Sequence, residues 1–265
     1  MSIENQFKRA LAGGTVPVGT WLMSGAPSTA EALGFCGFDF LVLDMEHVPI
    51  GVSDAVHLLR AIANTPAQAV VRLEWNDSVL MKKMLDAGAQ TLMVPFVQTS
   101  EEAARAVAAC KYPPVGTRGI AAVHRASRYG RDADYLNSAN DEICVILQLE
   151  TQAAIARMAE IAAVPGVDAL FIGPGDLAGD MGELGRIAAP SVQDALRDAA
   201  TAARACGKPV GIVGPNPEMV GRFREWGYGF VAIASDLAMM IARAGEMLSA
   251  LCGEKAAPQP VTAAY

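Results

Sequence analysis

The stretch "EICVILQLETQAAIARMAEIAAVPGVDALFIGPGD", residues 142–176, decides the fold. An apolar run over 142–150 finishes on Gln148 and Glu150, and a segment of helical composition follows. A second apolar run, 167–173, then breaks at a glycine turn in front of Asp176. Hydrophobicity that is continuous rather than alternating suits a parallel strand covered on both faces. Six more such runs lie at 17–23, 38–44, 68–74, 91–97, 208–214 and 229–235. Between them stand segments of helical spacing such as "SDAVHLLRAIAN", "DSVLMKKMLDAG" and "SEEAARAVAACK", with Ser53, Asp77 and Ser100 as N-caps and Gly88 as a stop. Eight strands alternating with helices over 265 residues predict a (β/α)8 TIM barrel. The alternative, a doubly wound open sheet, normally needs fewer strands. No compositional break marks a second domain, so the barrel is expected over 1–252 with a loose tail, "GEKAAPQPVTAAY", over 253–265. The stretch 111–141 is too long for an ordinary connection, and such loops are often functional.

Twenty-eight acidic against twenty-one basic residues give a net charge of -7, which argues against binding to nucleic acid or to an anionic membrane. No apolar stretch approaches the eighteen residues of a membrane span, and "MSIENQFKRALAGG" lacks the apolar core of a signal peptide. Five scattered cysteines without a CxxC read as small buried hydrophobes in a reducing cytoplasm.

In a barrel, chemistry gathers at the C-terminal ends of the strands. Here those ends carry Asp44, Glu46 and His47; Arg72 and Glu74; Gln148 and Glu150; and the turn bearing Asp176. Strand alternation puts Gln148 and Glu150 on one face and Leu147 and Leu149 on the other. Carboxylates from two neighbouring strands, Glu150 and Asp176, make a hard oxygen site for Mg²⁺ or Mn²⁺. Zinc is disfavoured, because the three histidines show no ligand spacing. Read singly, Glu150 could be a helix-start carboxylate and Asp176 an N-cap. The "GPGD" turn offers backbone N–H groups to a carboxylate or phosphate, or is a plain tight turn. Arg72 in a strand interior is either catalytic or a buried ion pair with Glu74 or another acid. His47 is a proton-transfer candidate or a hydrogen-bonded structural residue, and the structural reading is stronger for His57 and His124. No lysine ends a strand, so imine catalysis is not expected.

Several of these segments together resemble one family. "LVLDMEH", "VVRLEWND", "LDAGAQTLMVPFVQ", "YPPVGTRG", "RASRYG", "LQLET" and "FIGPGDLAGDMG" are similar in order and spacing to the HpcH/HpaI class II pyruvate aldolases, which include 4-hydroxy-2-oxoheptanedioate aldolase. The resemblance runs from about residue 3 to residue 252. It implies a barrel, a divalent metal (Mg²⁺, Mn²⁺ or Co²⁺) and reversible aldol cleavage releasing pyruvate, as in aromatic catabolism. It implies too a homohexamer, a dimer of trimers with the last helix swapped between subunits. It makes Glu150 and Asp176 the metal ligands and Gln148 their hydrogen-bonding neighbour. Arg72 is assigned to the keto oxygen, the backbone of Gly175 and Asp176 to the pyruvate carboxylate, and His47 to proton transfer through water. Asp44, three residues before His47, would face away from it on a continuing strand. The family favours Asp86, from a neighbouring subunit, as the partner that orients His47. "EHVPIG", "GPGDLAGD", "IAAVHRAS" and "VGPN" depart from the family pattern without removing a catalytic position. The rival activity is a lyase for acyl-CoA or phosphoenolpyruvate-type substrates, which would draw on Arg118, Arg125, Arg128 and Arg131 near the mouth. A non-enzymatic keto-acid binder would need neither Arg72 nor His47.

Overall fold

The structure, a computed structural model, describes residues 4–252. The expected tail, 253–265, lies outside them. Eight parallel strands close into a barrel in chain order: β1 (Val18–Leu22), β2 (Phe40–Asp44), β3 (Gln68–Arg72), β4 (Thr91–Val94), β5 (Cys144–Leu149), β6 (Ala169–Ile172), β7 (Val210–Gly214) and β8 (Phe230–Ser235). β8 pairs with β1 to complete the ring. Each apolar run contains one strand, trimmed at its ends. The run 91–97 loses its last three residues, because Pro95 has no N–H to give the ladder and Phe96 takes a φ of 53°. Among the described residues no helix is long and apolar enough to cross a membrane.

Asp77 is the expected cap, its side chain accepting from the Leu80 N–H at 2.7 Å. Two helices begin earlier than their sequence signals. Thr99 rather than Ser100 caps the helix Ser100–Cys110, accepting from the Glu102 N–H at 3.2 Å. Gly51 rather than Ser53 starts Val52–Ile62, because the Asp54 carboxylate reaches back to the Gly51 N–H at 3.0 Å. Gly88, with φ of +100°, follows the end of Ser78–Asp86 as expected.

Strand alternation sorts the two cores. Phe40 and Val42, Val70, Ile146, Phe171 and Phe230 point inside the barrel, while Leu41, Leu43, Leu147 and Leu149 pack outward against the helices. The helix Gln6–Ala12 plugs the N-terminal end, setting Phe7 edge-on to Phe40 at 5.1 Å and to Phe230 at 5.5 Å. Burying such a ring contributes about 1.5–3 kcal/mol. With the bottom closed by aromatics, the last inward position of each strand faces the open end. For β2, β3 and β5 that position is Asp44, Arg72 and Gln148.

The segment 111–141 follows a helix that runs down the barrel and feeds the start of β5, so it lies at the end opposite the open one. Arg118 is buried there and bonds Asp86 at 2.6 Å and the Tyr135 hydroxyl at 3.2 Å. Arg125 donates to the Ala87 carbonyl at 2.9 Å, and Arg128 lines a cavity with Gly88, Ala89 and Ile143. These arginines therefore do not serve the mouth of their own barrel.

Candidate active site at the open end of the barrel

Arg72 is fully buried, and its partner is not Glu74, which is exposed. Register puts Asp44 beside Arg72. The carboxylate takes the guanidinium as a two-pronged pair, from Nε at 2.9 Å and from Nη2 at 2.7 Å. Nη1 lies 3.1 Å from Glu46 Oε2, and the guanidinium carbon sits 4.3 Å over the Trp21 ring. Asp44 also turns the chain. The strand stops at this residue, and Asp44 Oδ1 accepts from the backbone N–H of Glu46 at 3.0 Å and of His47 at 3.4 Å. The continuing strand that would aim Asp44 away from His47 is therefore absent. Its carboxylate instead fixes the bend that carries Glu46 and His47 over the mouth. His47 Nε2 lies 4.0 Å from Glu46, and its side chain is half exposed at 51%.

On the other side of the mouth Glu150 is buried, at 2% exposure. Gln148 Nε2 donates to its Oε1 at 2.8 Å, and the Phe96 N–H donates to its Oε2 at 2.8 Å. The left-handed backbone at Phe96 is what turns that N–H inward. Gly173 leaves room for the carboxylate, since a Cβ there would stand 2.8 Å from Glu150 Cγ and Oε1. Burial pushes the Glu150 carboxyl up to about 8, with Asp176 and Glu46 adding to the rise. Glu46 is also raised by burial, against the pull of Arg72.

Three carboxylates thus meet at one mouth, Glu150 buried, Glu46 partly buried and Asp176 exposed, and such crowding of like charge is what a divalent cation relieves. The donors are hard oxygens, and the Gln148 Oε1 atom is buried without a partner. Both observations fit Mg²⁺ or Mn²⁺ held by Glu150 and Asp176. Among the described residues no group of three or more His, Cys, Asp or Glu side chains could hold a metal by itself. Substrate and water oxygens would have to complete the shell.

A cavity of 270 Å³ opens beside these groups, lined by His47, Gln148, Asp176, Leu184, Ile187 and Val213 among others. Gly175 belongs to its wall and faces open space, so any side chain there would narrow it. Asp86 is not part of this site in its own chain. It ends a helix at the opposite end of the barrel, bonded to Arg118 at 2.6 Å and 3.7 Å from His124 Nε2. The sequence reading assigned no role to Glu46 or to the Phe96 N–H. The first was legible in "LDMEH" as a polar residue just past a strand end; the second depends on a backbone conformation that residue types do not announce.

The HpcH/HpaI aldolase/citrate lyase family model matches residues 18–242. The chain is 55% identical to the 2-dehydro-3,6-dideoxy-6-sulfogluconate aldolase of Pseudomonas putida, over 95% of this chain and 98% of that protein. It is 46% identical to the 4-hydroxy-2-oxo-heptane-1,7-dioate aldolase of Shigella sonnei, over 96% and 97%. A crystal structure of an HpcH/HpaI aldolase/citrate lyase family protein from Burkholderia cenocepacia superimposes with a TM-score of 0.90 at 38% identity, covering 93% of this chain and 99% of that one. The chain belongs to the HpcH/HpaI aldolase/citrate lyase family and is an aldolase, a carbon–carbon lyase.

Proposed function

We propose that this enzyme cleaves a 4-hydroxy-2-oxo acid reversibly into pyruvate and an aldehyde, with a divalent metal as cofactor. The observation that carries the reading is the meeting, at one barrel mouth, of an Asp44-clamped Arg72 with the crowded carboxylates Glu150, Asp176 and Glu46. When bound by Glu150 and Asp176, the metal supplies a Lewis acid for the 2-oxo acid. Arg72, its plane fixed by Asp44, donates to the keto oxygen as it gains enolate charge. The N–H groups of Gly175 and Asp176, in the first turn of the helix Pro174–Asp180, have no intrahelical acceptor and hold the carboxylate. His47, exposed over the cavity, moves the proton between a water molecule and the aldehyde oxygen. The names of both aldolase relatives describe a 2-oxo acid with a second anionic group at its far end, a sulfonate in one and a carboxylate in the other. A substrate of that class fits the reading here. Arg118, Arg125 and Arg128 lie away from the mouth of their own barrel, so the acyl-CoA or phosphoenolpyruvate alternative would have to draw them from a neighbouring copy, as Asp86 is drawn here.

The test is exchange of pyruvate methyl protons in D2O, which needs no choice of aldehyde. Chelation with EDTA is expected to abolish exchange and cleavage, with Mg²⁺, Mn²⁺ or Co²⁺ restoring both. Borohydride with pyruvate is expected to leave the protein unmodified. Full activity after chelation, or a reduced lysine adduct on mass spectrometry, would overturn the reading.

We infer an oligomer as well, a hexamer on the family resemblance, with Asp86 brought to a neighbour's His47 and the terminal helix exchanged. In the helix Asp236–Cys252 only Asp236 and Gly245 are buried, and Met240, Met247 and Leu251 are 60%, 57% and 84% exposed. So much apolar surface on one helix calls for a covering partner. Sedimentation at micromolar concentration is expected to show no monomer. A monodisperse monomer would remove the role given to Asp86.

A further inference from the structure

A substrate that ends in a second anion needs a cation near the open end of the barrel, and the segments this chain gives to its own mouth carry very few. The segments that follow the strands there are 23–26, 45–51, 73–77, 95–99, 150–151, 173 and 215–216, together with 181–189 beyond the helix Pro174–Asp180. Across all of them the only lysine or arginine is Arg186. Arg72, at the end of β3, is already neutralised by Asp44 and Glu46. Arg157 turns its guanidinium to the Gln98 carbonyl at 3.4 Å, and neither of its chain neighbours lines the cavity.

Arg186 stands between two wall residues of the 270 Å³ cavity, Gly185 and Ile187, with Leu184 completing the same edge. Its side chain is 69% exposed and, among the described residues, pairs with Glu183, one turn back, at 2.5 Å. Glu183 is the more buried partner, at 25%, so the guanidinium keeps this contact and turns its exposed edge to an incoming anion. The wall also carries Leu184, Ile187 and Val213, apolar side chains that suit the carbon chain between an aldehyde and its terminal anion. The deeper part of the cavity, at Gly175 and Asp176, is assigned to the pyruvate carboxylate, so the tail's charge belongs at the outer edge. A planar fork matches a carboxylate or sulfonate face in a way a lysine does not.

We propose that Arg186 is the specificity residue for the aldehyde half, selecting 4-hydroxy-2-oxo acids whose far end carries a carboxylate or sulfonate. The proposal rests on the aldol reading above. The experiment is aldol addition of pyruvate to succinic semialdehyde, to 2-hydroxy-3-sulfopropanal, and to methyl 4-oxobutanoate, the uncharged counterpart of the first. The parent enzyme is expected to favour the two anions. Arg186→Gln should raise KM for both by about tenfold or more, the loss expected for a charge-assisted contact, while the ester changes little. Arg186→Lys should recover part of the preference. Pyruvate methyl exchange, which involves no aldehyde, should be unchanged in both variants and reports that they are folded. No exchange in the parent enzyme would defeat the aldol reading and this proposal with it. Normal exchange with no anion preference in the parent, or with an equal KM rise for ester and anions in Arg186→Gln, would overturn the proposal and leave the aldol reading standing.

Discussion

Glu150→Gln is expected to abolish tight divalent-metal binding and turnover, while making the metal-free protein more stable than the parent near neutral pH. One of two protein ligands is removed, so the loss of affinity should exceed the roughly 10–100-fold typical when only an outer partner of a ligand is lost. The stability effect follows from burial. Desolvation, then Asp176 and Glu46, push the folded Glu150 carboxyl up to about 8 from an ordinary value of 4.5. Between those values the folded state keeps a proton that the unfolded chain has released. Stability is therefore fully present below the unfolded value, falls as pH rises across the window, and is lost above the folded value. A glutamine amide does not titrate, so this part of the slope should disappear. Melting temperatures after chelation, read from pH 5 to 8.5 for parent and variant, test the argument alongside Mn²⁺ titration calorimetry. Added metal should protect the parent most at the alkaline end, where its carboxylates repel most. A parent whose metal-free melting temperature does not fall with pH would show that Glu150 is not strained in the way described.

The barrel was legible because parallel strands buried on both faces leave continuous apolar runs, and each of the eight runs contains a strand. Strand ends were less legible, since Pro95 and the left-handed Phe96 act through backbone geometry rather than hydrophobicity. The short helix Tyr135–Glu142, "YLNSANDE", gave little signal because its support is tertiary. Lys8 and Lys111 come from distant parts of the chain to its C-terminal end. Lys8 Nζ bonds the Asp141 carbonyl at 2.7 Å, and Lys111 Nζ bonds the Asn140 carbonyl at 2.5 Å. Both lysines bond the Ile143 carbonyl as well, at 3.1 and 3.0 Å.

The site was legible as far as strand ends reach. Alternation alone puts Gln148 on the inner face with Arg72 and Asp44, and neighbouring strands in register then pair the last two. The sequence names Glu74, the acid nearest Arg72 along the chain, or another acid, and the structure selects the latter. A partner 28 positions away is closer in space, because parallel pairing outranks sequence distance. Glu46 escaped for a related reason: it lies past the strand, and only the bend fixed by Asp44 Oδ1 brings it to Arg72. Asp86, at the foot of the barrel, can meet a His47 only in another copy of the chain.

Arg72→Lys separates the chemistry at this mouth from the holding of the metal, because Glu150 and Asp176 are untouched. The arginine fork spans two acids, giving Nε and Nη2 to Asp44 and setting Nη1 3.1 Å from Glu46. A single ammonium on a flexible stem cannot reproduce that span, and it loses the stacking over Trp21. Asp44 has no solvent exposure, so an oxygen left unmet there costs about 1–3 kcal/mol or more. For a chain of this size that corresponds to a fall of roughly 2–12 °C in melting temperature. A structural loss is therefore expected whatever the catalytic role, and melting temperature alone does not decide the matter. The deciding quantity is pyruvate methyl exchange per folded molecule. If Arg72 donates to the developing enolate oxygen, exchange and aldol cleavage should fall together by on the order of a hundredfold or more, since both pass through the same enolate. Metal affinity should stay close to that of the parent, which separates this variant from Glu150→Gln. A lowered melting temperature with near-normal exchange and normal metal affinity would make Arg72 a scaffold for Asp44 and would end the role assigned to it.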